Sequence, residues 1–281
     1  MSVTLTRATA PVAAAPNVLR AYRAELLKLR RPATLVAVLL AAALSLLSTV
    51  LVFALADPGR PGARSAPGFV TTIGQLTEPG GLTQAFALGM SLIGLLVFVL
   101  SVVAVTSEYA QGTLRTVLLA QPRRAAWLGG KLVALCTVIA AALVLALAVG
   151  IVAALAMAQI RGVDTGQWAS TAAVTDALGN LVNALVGAVL FTLAGTALGV
   201  LLRSTVLALA VGVAWTFPIE HIIQNAWPGA TEVFPGLLFA TVAVGGVPDA
   251  PYRDALLAAV GYGVVALVLA ITSFVRRDVV A

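Results

Sequence analysis

The sequence predicts an all-α integral membrane protein, and three observations carry that expectation. Its 281 residues are 60% hydrophobic and only 10% charged, with a mean hydropathy of +1.04. A water-soluble domain of this length has no interior large enough to hide so much apolar side chain. The apolar residues fall into six runs, five of them plainly long enough as helices to cross a hydrocarbon core of roughly 30 Å. The basic residues gather at alternate ends of those runs. A pI of about 10.2 and a net charge of +6 would also suit a nucleic-acid binder. Basic residues dispersed at the ends of apolar runs instead mark membrane flanks, so no nucleic-acid partner is expected.

Met1 to Asn17 is rich in Ala, Thr and Pro, with Arg7 as its one charge, and reads as a flexible cytoplasmic tail. The first apolar run begins late and is too long for the core of a cleaved signal peptide. Residues 18–32 read as an amphipathic interface helix: Val18, Tyr22, Leu26 and Leu29 share one stripe, while Arg20, Arg23, Lys28, Arg30 and Arg31 lie mostly elsewhere. Such a helix suits a bilayer surface with anionic headgroups. Spans are expected at about 33–56, 83–106, 132–158, 177–202, 205–223 and 255–275, so that 33–281 forms one six-span domain. The fifth run meets Pro218 and must end short or continue with a kink. Phe234 to Gly246 is apolar, bracketed by Pro and Gly, and too short to cross; it predicts a short outer re-entrant hairpin between spans five and six.

Orientation follows from charge. Thirteen of the seventeen basic residues fall on the side of the N-terminal segment, among them Arg115, Arg123, Arg124, Lys131 and Arg203, whereas eight of the eleven acidic residues fall opposite. The positive-inside rule then puts both termini in the cytoplasm. The preference for Arg over Lys, with Ala-rich spans, points to a bacterium with a GC-rich genome, and the expected location is its inner membrane.

Several chemistries have no support. Gly129, Gly130 and Lys131 resemble part of a phosphate loop, but Ala125 stands where the first glycine is needed and Leu132 replaces the Ser or Thr. The chain is therefore expected to hydrolyse no ATP itself and to be no enzyme. His221 is the one histidine, so a paired-His zinc site has no second ligand and no metal is expected. Cys136 has no partner for an internal disulfide and reads as a small core hydrophobe.

Ser107 to Lys131 is the longest polar interruption on the basic side. Its residues Glu108, Gly112, Thr113, Leu114, Arg115, Leu118, Pro122, Arg124 and Lys131 resemble the first cytoplasmic loop of permease subunits of ABC transporters of the second exporter class. In that class a Glu ends the second span, a Gly-Thr-Leu turn and a Leu-rich stretch follow, and Pro, Arg and Lys lead into the third span. The N-terminal helix, the six spans and the broken outer segment extend the resemblance over nearly the whole chain. It implies that this loop carries a cytoplasmic coupling helix between spans two and three, taking motion from a separate ATP-binding cassette subunit that holds the ATP and Mg. It also implies a second permease copy or a sister permease, and a lipid bilayer around both. On the residues themselves, Leu114, Val117 and Leu118 share a helical face suited to a groove on a partner or to lipid. Arg115, Arg123 and Arg124 would steer toward an acidic rim or toward headgroups. Glu108 is expected to pair with Arg23 or Lys28.

Two further groups stand out. Asp176, Asn180, Asn183 and Gly187 recur on one face of span four, where they either bond across helices or line a hydrated path; Gly195 and Gly199 form a GxxxG pair beyond them. On the outer side Glu220 and His221 read as a surface pair at a helix end or as a proton relay, and Trp227 and Pro235 belong to an outer gate or an interfacial anchor. The expected function is a permease subunit exporting a hydrophobic or amphipathic substrate. The alternative is an ATP-independent membrane protein, a secondary carrier or a structural or sensory subunit, and the scarcity of intramembrane ionisable residues speaks against a carrier.

Overall fold

The structure, a computed structural model, describes residues 17–56, 71–114, 119 and 124–276. Ten α-helices follow one another in these segments: α1 Asn17–Lys28, α2 Pro32–Leu55, α3 Ile73–Thr77, α4 Gly81–Ala110, α5 Arg124–Arg161, α6 Thr171–Leu202, α7 Thr205–Ala214, α8 Glu220–Ala226, α9 Pro235–Val244 and α10 Tyr252–Arg276. Among the described residues there is no strand, only an isolated bridge between Val247 and Ala250. Six helices are long and apolar enough to cross a membrane, α7 and α8 counting as one of them. This is the architecture of a multi-pass membrane protein.

Local chemistry sets where the helices begin. Pro32 opens α2 at a position where its missing N–H costs nothing. Ser170 and Ser204 cap α6 and α7 by accepting from Ala173 N and Leu207 N, and Thr72 with Gln75 forms a reciprocal capping box for α3. Three helices outrun the apolar runs that predict them. α4 continues to Ala110, α6 starts six residues before position 177, and α5 starts at Arg124, eight before position 132. Helical backbone has no reason to stop where side chains turn polar, provided those side chains find partners.

Pro218 does not end the fifth span, which continues to Ala226, the second of the two expected alternatives. It lies in a π-helical turn, Trp215–Ile219, that joins α7 to α8. A wider turn accommodates the missing donor and the ring. The apolar run after it is a single helix, α9, of ten residues and roughly 15 Å at about 1.5 Å per residue. Gly245 and Gly246 end it with φ of 89° and 102°, a conformation that strongly favours glycine.

The helices alternate in direction, so the bundle has an α1 end and an α9 end. Phe86, Met90, Ile93 and Phe98 of α4 meet Leu135, Ile139 and Leu143 of α5, Ala184, Ala188 and Phe191 of α6, and Leu238, Phe239 and Val242 of α9 in the main core. Ser45 and Ser48 of α2 donate to Ala146 O and Ala85 O, both at 2.8 Å, knitting α2 to α5 and α4. At the α9 end Trp168 Nε1 donates to Leu76 O at 3.0 Å, and Arg161 donates to Ala54 O and Ala56 O, which closes the C-terminus of α2.

Candidate functional site

The α1 end is where the sequence concentrates charge, and α1 is the element that builds it. Its buried face runs through Ala21 and Glu25, not along the stripe of Val18, Tyr22, Leu26 and Leu29. α1 comes close because position 130 of α5 is glycine: a Cβ there would overlap Ala21 Cβ and crowd the backbone of Tyr22. That approach brings Glu25, only 3% exposed, against α5.

Four charged side chains from three helices then close on one another. Lys28 Nζ lies 2.7 Å from Glu25 and 2.9 Å from Glu108, and Lys131 Nζ lies 2.9 Å from Glu25 and 3.1 Å from Glu108. Trp127 Nε1 donates to Glu25 at 3.1 Å, Thr113 Oγ1 donates to Glu108, and the Lys131 ammonium sits over the Trp127 ring at 5.2 Å. Lys131 is 5% exposed and Glu108 7%. Charges this buried survive only as a fully bonded set, and here each carboxylate holds both ammonium groups. Burial would push the Lys28 ammonium below its usual range; its hydrogen bonds to Glu25 and Glu108, with their charges, more than reverse that and hold it above.

The segment leaving α4 is fastened onto this cluster. Gly112 turns the chain with φ 65°, Thr113 is tied to Glu108, and Leu114 is 1% exposed, packed with Val105, Trp127, Leu128 and Phe274. Arg124, at the start of α5, donates to the carbonyls of Phe274 and Val275 at the C-terminus of α10. One expectation is corrected here. Leu114 does not belong to a partner-facing ridge, because its side chain fills the core between α5 and α10. Arg124 binds the protein's own last helix. Arg115, Val117, Leu118, Pro122 and Arg123 lie outside the described residues, whereas Leu119 is described and is 82% exposed. Glu108 pairs with Lys28, as one of the two options anticipated, and also with Lys131. Glu25 and Trp127 were not anticipated as members; the only sign in the sequence is an acid three residues before Lys28 within an otherwise basic helix.

Most of the polar face of α6 lies in helix contacts. Asn180 donates to Thr83 Oγ1 of α4 at 2.9 Å, Gly187 packs against Ala243 of α9, and Gly195 and Gly199 receive Phe98, Ser101 and Val105 of α4. Asn183 reaches the turn at Gly245, and Asp176 is exposed beside Gly80. On its far side α6 forms with α10 an apolar cleft of about 350 Å³, lined by Leu185, Val189, Leu193, Val260, Gly263 and Leu267.

At the α9 end the expected surface pair of Glu220 and His221 is corrected. Glu220 is fully buried and accepts from Gly236 N and Leu237 N, the opening N–H groups of α9 behind Pro235; His221 is exposed, with Nδ1 2.7 Å from Phe217 O. Neighbours on the helix, they point to different surroundings and form no relay. Trp227 is exposed, its ring edge-on to Phe234.

Fold and geometry define a polytopic helical membrane protein with a buried four-charge cluster at one end of the bundle. Over residues 68–280 the chain matches the family model described as "Protein of unknown function (DUF2705)", and it belongs to that family. No curated protein matches it.

Proposed function

We propose that this chain is the transmembrane permease subunit of an ATP-driven exporter in a bacterial inner membrane, with both termini in the cytoplasm. One observation supports this reading above the others. The segment after α4 is bound at its base to α4 itself, α5 and α10, yet it carries Leu119 almost wholly exposed. An element that takes a push from a soluble partner needs both properties: a rigid attachment, so that displacement reaches the spans, and an apolar tip that a groove can bury. The motif order from Glu108 to Lys131 supports the same assignment. ATP and Mg are bound by the partner, an ATP-binding cassette subunit. A second copy of this chain or a sister permease completes the pathway. The apolar cleft between α6 and α10 and the scarcity of intramembrane charge favour a hydrophobic or amphipathic substrate, entering from the cytoplasm or inner leaflet.

The test is purification from the native membrane in mild detergent, followed by identification of co-purifying proteins that carry a nucleotide-binding motif. Leu119→Asp is expected to remove such a partner while the chain stays monodisperse. Leu114→Asp is unsuitable as a probe of docking, because it puts a charge into the core. Retrieval of the chain with no ATPase, or with one indifferent to Leu119→Asp, would overturn this mechanism in favour of an ATP-independent carrier or complex subunit.

A further inference from the structure

We propose that α8 is a hinged arm, pivoting at the π-helical turn Trp215–Ile219 and latched shut by Glu220 on the N-terminus of α9. The two sides of the latch are fixed very differently. Leu238, Phe239, Val242 and Ala243 of α9 sit in the main core, Phe239 meets Phe191 of α6 edge-on at 5.4 Å, and the approach of Gly187 locks Ala243 in place. Tyr262 of α10 adds a hydrogen bond to Val233 O just ahead of α9. α8 is held more lightly: Gln224 Nε2 donates to Thr231 Oγ1 at 3.1 Å, but none of its residues joins the main core. His221, Ile222, Asn225 and Ala226 are exposed, Ile223 and Gln224 are half-buried, and Glu220 is its one buried residue.

The bond itself is built for closing and opening. Both oxygens of the Glu220 carboxyl group are engaged, by Leu237 N at 2.8 Å and Gly236 N at 3.3 Å. A residue that only had to cap α9 would sit at its N-cap, yet that position is Phe234, which has no capping side chain. The cap comes instead from another span, sixteen residues away. Capping from a distance makes the stability of α9 depend on the position of α8. Glycine at 236 is part of the fit, since a Cβ there would overlap Thr216 Cγ2 and press on Glu220 Oε2. A buried carboxyl group that loses these donors is strongly unfavourable unless it reaches water, so intermediate positions are disfavoured and the arm has two states. The hinge lies immediately before Glu220, where Pro218 already removes one backbone donor from the helix. The proposal concerns the fold and stands without the export reading; within that reading the arm would form part of the outer gate.

Spin-label distances test it. Cys136 is the one native cysteine, so Cys136→Ala gives a background for labels at Asn225→Cys on the arm and Val174→Cys on α6, both exposed positions. A second pair, Leu257→Cys with Val174→Cys, reports on the bundle without the arm. The arm from the hinge to Ala226 is roughly 10 Å long at about 1.5 Å per residue, so a swing of about 30° moves its tip by about 5 Å. In the full chain in nanodiscs, Glu220→Gln is expected to add a second, displaced population to the Asn225–Val174 distances and leave Leu257–Val174 unchanged. Gly236→Ala, which attacks the same contact from the α9 side, is expected to do likewise. A single undisplaced population in both variants would overturn the latch, and so would equal broadening of both label pairs, which means general loosening. If the latch result holds while no ATPase co-purifies, the arm survives and the export reading falls.

Discussion

Glu108 matters more for its charge than for its bulk. It faces two ammonium groups inside a cluster where Glu25 is the only other acid, so Glu108→Gln leaves the isosteric side chain in place but strands a positive charge. The expected cost is about 3 kcal/mol or more, read as a lowered unfolding temperature in detergent. Arg23→Gln, on the exposed side of α1, is expected to change stability by less than about 0.5 kcal/mol. Lys28 gives a pH signature of definite sign. Its folded-state pKa is raised, so its contribution is fully present below the ordinary lysine range and is lost as pH rises through the raised value. Melting temperature should therefore show no Lys28-dependent change between about pH 6 and pH 9. A decline at stronger alkalinity should be present in the native chain and absent in Lys28→Met. The Lys28–Glu108 pair was legible in the sequence because a lysine of a basic helix and an acid ending a span face the same membrane side. Glu25 was not, since four charges from three distant segments leave no spacing to read. Glu220 was misread for a related reason: adjacency to His221 suggested a shared surface, while the groups it bonds lie sixteen and seventeen residues further on.

At the scale of the helix, α1 is held by close approach as much as by charge. Gly130→Leu places a side chain where Ala21 and Tyr22 now sit. Overpacking of this kind costs about 1–3 kcal/mol and should lift α1 while the spans stay folded. Faster tryptic cleavage at Arg20 and Arg23, with unchanged helical circular dichroism, is the expected outcome. Element existence was well marked by the apolar runs, and the ends were not. α5 begins eight residues early because Trp127 and Lys131 find Glu25 and Arg124 finds the carbonyls of α10. Periodicity grouped Leu114 with Val117 and Leu118, but a stripe states which residues share a face and not which way that face turns. The core formed with Trp127 and Phe274 decides it for Leu114.

For the whole molecule, the charge asymmetry makes a topology prediction. On the Cys136→Ala background, Ala24→Cys on α1 and Gln167→Cys between α5 and α6, both exposed, should differ in their reaction with a membrane-impermeant maleimide. Gln167→Cys is expected to react in intact cells and Ala24→Cys only after permeabilisation; the reverse pattern would invert the positive-inside assignment. The number of spans and their alternation could be read from composition and run length. The burial of α9 against α4 and α6 could not, because a short apolar run looks the same whether it rests at an interface or fills a core. One consequence of the four-charge cluster reaches beyond the residues that form it. Two carboxylates and two ammonium groups cancel, so the cluster casts almost no field on its surroundings, and the positive potential of that face comes from exposed arginines such as Arg23, Arg30 and Arg31. Added salt, which screens surface charge within about 10 Å at 0.1 M, should therefore weaken the attraction of this face for anionic surfaces while leaving the joint between α1, α4 and α5 intact.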